Sequence, residues 1–396
     1  MELTFAALLL RIGLEFGADL ASLGAVANIG TFTFGATALP AGYLSDRFGP
    51  RAVMSSCMVA GAVFAGLVAL SPNLVLLALS LALLGAAIGL YHPAGVAMVA
   101  TVRRRRGLAF ATHGIAGNLG VALAPAIGAG IAIEFGWRAS YLALMVLAFA
   151  VAIVVWRIAP TREQAAEARG ESAATTAIAQ RTTPPARRHW LAPPLLLIFA
   201  ASVGMGFIYR GSLTFLPAHL EANLGLSLFG WTPEAVASAV ATLVLLTAIL
   251  GQVLGGLLSD RIQIERAAVP IVLVNAPMLA LMAPAHGVAL ILFSAGFVLM
   301  NFAQQPVFNS LIADYAPEGA AGRAFGVSFF MTFGLGSFAG SIAGVVAERA
   351  GTEPMFYMLA AVGAALAAAM VVLAAGAERR RRALRGPRAA EPAAGS

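Results

Sequence analysis

From residue 20 onward the chain alternates long apolar stretches with short polar breaks. Five stretches run over 20–44, 52–70, 74–101, 107–133 and 138–158, and six more over 191–217, 233–258, 267–285, 287–312, 324–347 and 354–376. About 20 apolar residues in an α-helix cross the ~30 Å hydrocarbon layer of a bilayer, so each stretch predicts one membrane-spanning helix. Ahead of them lies an apolar stub, Leu3 to Leu14, interrupted by Arg11. As a helix it reaches only about 18 Å and cannot span alone.

The break between the first two stretches reads GYLSDRFGPR, Gly42 to Arg51. Its charges must sit where hydrocarbon ends. Gly42 lets its helix pack closely on a neighbour, Gly49 turns the chain, and Pro50 suits a first helical turn, where an N–H is expendable. The phrase returns as GLLSDRIQIER: Gly42, Leu44, Ser45, Asp46 and Arg47 match Gly256, Leu258, Ser259, Asp260 and Arg261 at an offset of 214. Gly120, Gly130 and Glu134 match Gly334, Gly344 and Glu348 at the same offset, and Tyr91-His92-Pro93 corresponds to Gln304-Gln305-Pro306 at 213. A duplicated loop implies a duplicated bundle.

Composition supports the membrane reading. The 396 residues are 60% hydrophobic and only 11% charged, whereas soluble domains carry about 25% charged residues. Every one of the 25 basic residues is arginine. Twenty-one fall in alternate breaks: Arg47, Arg51, Arg103 to Arg106, six between Arg157 and Arg188, Arg261, Arg266, Arg323 and six after Glu378. Arg11, Arg138 and Arg349 lie opposite, and Arg210 lies inside a stretch. By the positive-inside rule the GYLSDR loop, the linker and the carboxyl tail face the cytoplasm of a multi-pass inner-membrane protein. This alternation accounts for the pI near 10.4 without nucleic acid as a partner. The lone Cys57 excludes a disulfide framework and a cysteine metal site. The amino terminus lacks the basic region and cleavage site of a signal peptide.

The expected organisation is an all-α membrane protein of two pseudo-symmetric six-helix bundles. Residues 1–158 form the first and 191–377 the second, with a Pro- and Thr-containing cytoplasmic linker over 159–190 and a cytoplasmic tail over 378–396. The stub reads as the outer end of a first helix whose remainder lies before Met1, with a natural start about 20 residues upstream.

With the loop phrase, its second copy and the linker, the chain resembles the major facilitator superfamily over nearly its whole length. GYLSDRFGPR is similar to the family signature G-x-L-[ST]-D-R-x-G-R-[RK], with Pro50 in place of an arginine. The resemblance implies a gating contact in which Gly42, Asp46, Arg47 and Arg51, and in the second copy Gly256, Asp260 and Arg261, lock the cytoplasmic faces of the halves together. Asp46 would then meet a helix amino terminus near Arg323. On the fifth helix Gly120, Pro125 and Gly128 resemble the antiporter packing motif, with Ala124 and Ala129 at two glycine places. The fourth-helix arginine of drug antiporters is absent, and no span contains a central Asp or Glu. The fragments YHPAG and YRGSLTFLP resemble fosmidomycin-resistance-like bacterial carriers.

Polar groups inside spans are expensive in lipid and must face protein or water. Tyr91 and His92 on the fourth helix, Tyr209 and Arg210 on the seventh, and Gln304, Gln305 and Asn309 on the tenth are the candidate substrate-binding residues, because the resemblance places these helices around a cavity. Arg210, about six residues from a helix end near Leu216, either faces that cavity or snorkels outward. His92 has three readings: a hydrogen bond to a neighbouring helix, perhaps Asn118, a proton carrier, or a ligand contact. Gln304 and Gln305 cannot share one helical face.

These features indicate a secondary active transporter for a small solute, with an organic anion favoured by Arg210. Its partners would be that solute, the lipid bilayer and protons as a candidate coupling ion, and it would act as a monomer. A proton-coupled drug or metabolite exporter is the alternative within the class, and a non-transporting receptor or scaffold lies outside it. No cofactor, metal cluster or paired nucleophile and base is visible, so no enzyme is expected.

Overall fold

The computed structural model describes residues 2–102, 104–161, 163–164, 190–226, 230, 232–336 and 338–385, so most of the linker and the end of the tail lie outside the described residues. The first half comprises α1 (Glu2–Phe16), α2 (Leu20–Phe48), α3 (Pro50–Ala69), α4 (Leu74–Gly89), α5 (Tyr91–Val99), α6 (Arg106–Phe135) and α7 (Trp137–Ile158). The second comprises α8 (Pro193–Asn223), α9 (Pro233–Arg261), α10 (Ile264–Met282), α11 (Gly287–Tyr315), α12 (Ala321–Phe329), a π-helical turn (Phe330–Leu335), α13 (Phe338–Ala350) and α14 (Thr352–Arg385). The described residues contain no strand. Taking α4 with α5, and α12 with α13, as continuous spans, the long elements coincide with the eleven apolar stretches.

The turns follow from their residues. Asp19 accepts from the N–H of Ser22 at 2.8 Å and Asn73 from that of Leu76 at 3.0 Å, so each caps a helix whose first N–H groups lack partners. Gly49 takes φ +83°, which a side chain would resist, and hands over to Pro50 at the start of α3.

Small residues weld neighbouring helices. A Cβ on Gly85 would fall 2.2 Å from the Gly30 carbonyl oxygen, and one on Gly89 2.3 Å from that of Phe34, so α4 lies directly on α2. In the second half, Gly251 and Gly255 face the Leu299 and Ala303 carbonyl oxygens at 2.1 and 2.0 Å, and α9 lies on α11 in the same way. One core gathers around Leu8, Leu23, Leu77 and Tyr141 of the first half, and a larger one around Ile198, Phe297, Phe325 and Phe356 of the second, which Val96, Ala97 and Phe110 of the first half join.

The stub forms α1, which buries Phe5, Leu8 and Ile12. Arg11 donates to the Ala132 carbonyl at 3.0 Å, and Glu15 pairs with Arg138 while accepting from the Trp137 indole at 2.6 Å. At the other end α14 continues to Arg385, held where Arg381 reaches Gln263 at 2.6 Å and Glu265 at 2.7 Å.

Two of the expected local details differ. Pro217 does not end its helix: α8 runs through it to Asn223, as membrane helices tolerate when neighbours satisfy the freed backbone. Of the fifth-helix packing motif, Gly128 meets Thr4 at 2.7 Å from a would-be Cβ, whereas Gly120 meets nothing within 4 Å. The close approach is therefore at Gly128 alone, and the side chain of Pro125 lies outside the described residues.

Candidate functional site: the seam between the halves

At the arginine-rich face the halves are clasped twice, by the two copies of the repeated loop. Asp46, at the end of α2, accepts from the N–H groups of Gly322 and Arg323 at 2.7 and 3.0 Å and from the Arg323 Nε at 3.0 Å. Those N–H groups open α12 and have no intrahelical acceptor, so the carboxylate completes them while meeting the positive end of the helix dipole. Asp260, at the end of α9, does the same for α6, accepting from Gly107 at 2.7 Å and Leu108 at 3.0 Å. Arg106 adds an ion pair to Asp314 on α11 at 2.5 Å.

Glycine makes both clasps feasible. A Cβ on Gly42 would lie 2.3 Å from the Gly322 oxygen and 2.8 Å from the Arg323 Cα. One on Gly256 would lie 2.8 Å from both the Gly107 oxygen and the Ala111 Cβ. The void beside Asp46 and Gly322 measures about 10 Å³, the lower limit for one water. The arginines of the repeated loops stay on their own sides. Arg47 donates to the Tyr43 hydroxyl at 3.1 Å, Arg51 lies over Trp156 at 4.8 Å, and Arg261 is exposed.

Deeper in, aromatic rings cross the seam. Pro93 removes the N–H that would bond the Gly89 carbonyl, and the fourth span breaks at Leu90 between α4 and α5. Tyr91 and His92 follow the break. Tyr91 stacks on His113 of α6, centroids 6.1 Å apart, and stands edge-on to His92 at 5.6 Å. His92 stacks on Phe329 at 5.3 Å, lies 6.5 Å from Phe333, and takes Phe34 edge-on at 5.4 Å. Phe333 reaches Tyr209 at 6.2 Å, which meets Phe302 at 5.9 Å. Phe329 and Phe333, four residues apart, lie one turn apart on one face where α12 passes into its π turn.

Beside the rings runs an amide contact. Gln252 is fully buried and donates from Nε2 to Gln305 Oε1 at 2.6 Å. A Cβ on Gly114 of α6 would lie 2.5 Å from that nitrogen, so the amide rests on the first half. Gln304 is turned away into the second half, 2% exposed, with neither amide atom bonded. Asn309 is half-buried. Asn118 makes no bond to His92, which is held by rings instead, and the Asn118 Nδ2 is without a partner.

Gly117 and Gly120 of α6 face open space, and Arg210 of α8 is exposed, its stem beside Gly340. Arg210 stands 13 residues before the end of α8, about 20 Å along the axis. That is far deeper than the six residues inferred when Pro217 was taken as the end. Among the described residues no carboxylate pairs with it. Sequence reasoning passed over Gln252, His113, Phe34, Phe329 and Phe333, of which only the histidine and the glutamine carried a signal, as polar residues inside spans.

A helical membrane protein of two repeated halves clasped at one face has the architecture that transporters share. The chain belongs to the Major Facilitator Superfamily, whose sequence profile matches residues 1–341. A probable L-galactonate transporter of Escherichia coli (strain K12) is 27% identical over 156 residues, 39% of this chain. The chain thus spans about a third (34%) of the length of that curated relative. Among solved structures, the proton:xylose symporter XylE bound to 6-bromo-6-deoxy-D-glucose superposes with a TM-score of 0.73 at 15% identity, covering 93% of this chain and 92% of that one. The human organic anion transporter MFSD10 superposes at 0.65 with 19% identity, covering 91% and 88%. At such identities the likeness is one of fold.

Proposed function

We propose that the protein carries a small organic anion, of the polyhydroxylated carboxylate class, across the inner membrane by alternating access. The arginine-rich face is the cytoplasmic one. The observation that carries this reading is Arg210: an exposed guanidinium inside an apolar span, about 20 Å from the end of its helix, with no carboxylate beside it among the described residues. A planar fork of donors matches a carboxylate, and the amides of Gln305 and Asn309 with the Tyr209 hydroxyl suit the hydroxyls of such a solute. The likeness to a probable L-galactonate transporter of Escherichia coli supports the same class. Tyr91 and His92 form the floor on which the solute rests. The clasps at Asp46 and Asp260 close the cytoplasmic side while the cavity faces outward, and their release opens the inward path.

The test is uptake and counterflow of radiolabelled aldonates in proteoliposomes. Saturable flux is expected, with a loss of affinity of at least tenfold in Arg210→Lys and more in Arg210→Gln. Absence of saturable flux for any organic anion would overturn the transporter reading. Unchanged affinity in both variants would remove Arg210 from the path.

A further inference from the structure

We propose that His92, with His113 behind Tyr91, is the protonation site of this carrier, and that a proton arriving there opens the arginine-rich clasp. The inference deepens the reading above by naming the coupling ion. It depends on that reading for direction alone.

The argument rests on where His92 sits. Its ring is held by both halves at once: Phe34 and Tyr91 from the first, Phe329 and Phe333 from the second. A neutral imidazole packs among such rings as a flat plate. An imidazolium needs water or a counter-charge, and every element around the seat withholds the latter. α2 presents Phe34, α6 presents His113, and α12 with the π turn presents Phe329 and Phe333. α3 contributes only the buried Cys57, near Tyr91. Asp46 and Arg323, the nearest charged groups on α2 and α12, are engaged with each other in the clasp. Ring faces attract a cation, but they replace a hydration shell incompletely. Drawing α12 away from α2 and α5 lifts Phe329 and Phe333 off His92 and admits water. Protonation and separation therefore favour one another, and by linkage each strengthens the other equally.

The sign follows. The separated state binds the proton more tightly, so the ratio of separated to clasped molecules rises as pH falls through the imidazole range, by at most about tenfold per pH unit for one proton. His113, stacked on the far side of Tyr91, repels a second proton and limits the site to one. The proton enters from the outward cavity onto an imidazole nitrogen and leaves from it to the cytoplasm once the clasp is open.

The experiment needs no solute. Nitroxide labels at Val102→Cys and Ile262→Cys, exposed positions at the clasped face of opposite halves, are placed in a Cys57→Ala background, and their distance distribution is measured in lipid nanodiscs between pH 8 and pH 5. The expected result is a longer-distance population that grows as pH falls. It should persist in His286→Gln and vanish in both His92→Gln and His92→Phe. The phenylalanine variant keeps the ring packing, which guards against loss of fold in the other. A parent with no pH dependence, or a dependence that survives in His92→Phe, overturns the proposal. Failure of anion uptake leaves this measurement untouched, so the two readings fail separately.

Discussion

The two clasps descend from one repeated phrase and are not equal. Asp46 collects three hydrogen bonds, one from a charged guanidinium, and its side chain is 14% exposed. Asp260 collects two, both from backbone, and is exposed. On the weaker side Arg106 and Asp314 supply a separate ion pair, while on the stronger side the cation is built into the clasp itself. Repetition preserved the geometric core of the contact, a carboxylate on a helix amino terminus beside a glycine, and left the reinforcement free to differ. In the proposed cycle it is the pair of helix-end contacts that would have to be kept, because each would open and close at every turn.

Five substitutions at three kinds of position probe this comparison, in order of expected effect. Gly42→Leu should be the most severe. The new side chain meets backbone atoms of α12 that cannot step aside, so the closed population should fall by tenfold or more and flux should be lost while membrane insertion is retained. Gly256→Leu should behave alike, because its obstacle is also largely backbone. Surface abundance and flux measured together check both, and normal flux in either would show that the clasp is dispensable.

Next, Asp46→Asn replaces charge-assisted bonds worth about 1.5–3 kcal/mol, a shift of roughly 10- to 100-fold in the open-to-closed ratio. Asp260→Asn should shift it less, by about 1 kcal/mol, since helix-end attraction is its main charged contribution. Label distances across the arginine-rich face report both ratios, and equal shifts would erase the asymmetry. The smallest effect is expected for Arg106→Gln. An ion pair with both partners partly exposed contributes about 0.2–1 kcal/mol, so a change of at most about fivefold is expected, fading at high salt. A larger, salt-insensitive effect would make that pair the true reinforcement of its clasp.

Most of the scaffold was legible in the sequence because the bilayer imposes a length and a polarity on every span. Most observed bounds of the helices fall within a few residues of the apolar stretches, with α8 and α14 running on by six and nine residues. Asp46 could be paired with a helix start near Arg323 because the loop phrase resembles the family signature, and the contact is present. The site was less legible. Arg210 was placed too near a helix end because Pro217 was read as a stop, and a membrane helix can absorb a proline that a soluble one would not. Gln252 sits in an otherwise apolar run, and only the register of α9 against α6 shows that it rests on Gly114. Phe329 and Phe333 carry no polar signal, and only their packing on His92 shows that both belong to the seam.

The direct seating of α4 on α2, through Gly85 and Gly89, has a mechanical meaning. One helix carries Asp46 at its tip and Phe34 along its length, with Pro40 between them, and the break that holds Tyr91 and His92 is fastened to that same helix by the Gly89 contact. The clasp and the ring seat are then two stations on a single lever. A tilt that pulls the tip from α12 also slides the rings apart, so no relay of intermediate residues has to carry the message from one to the other.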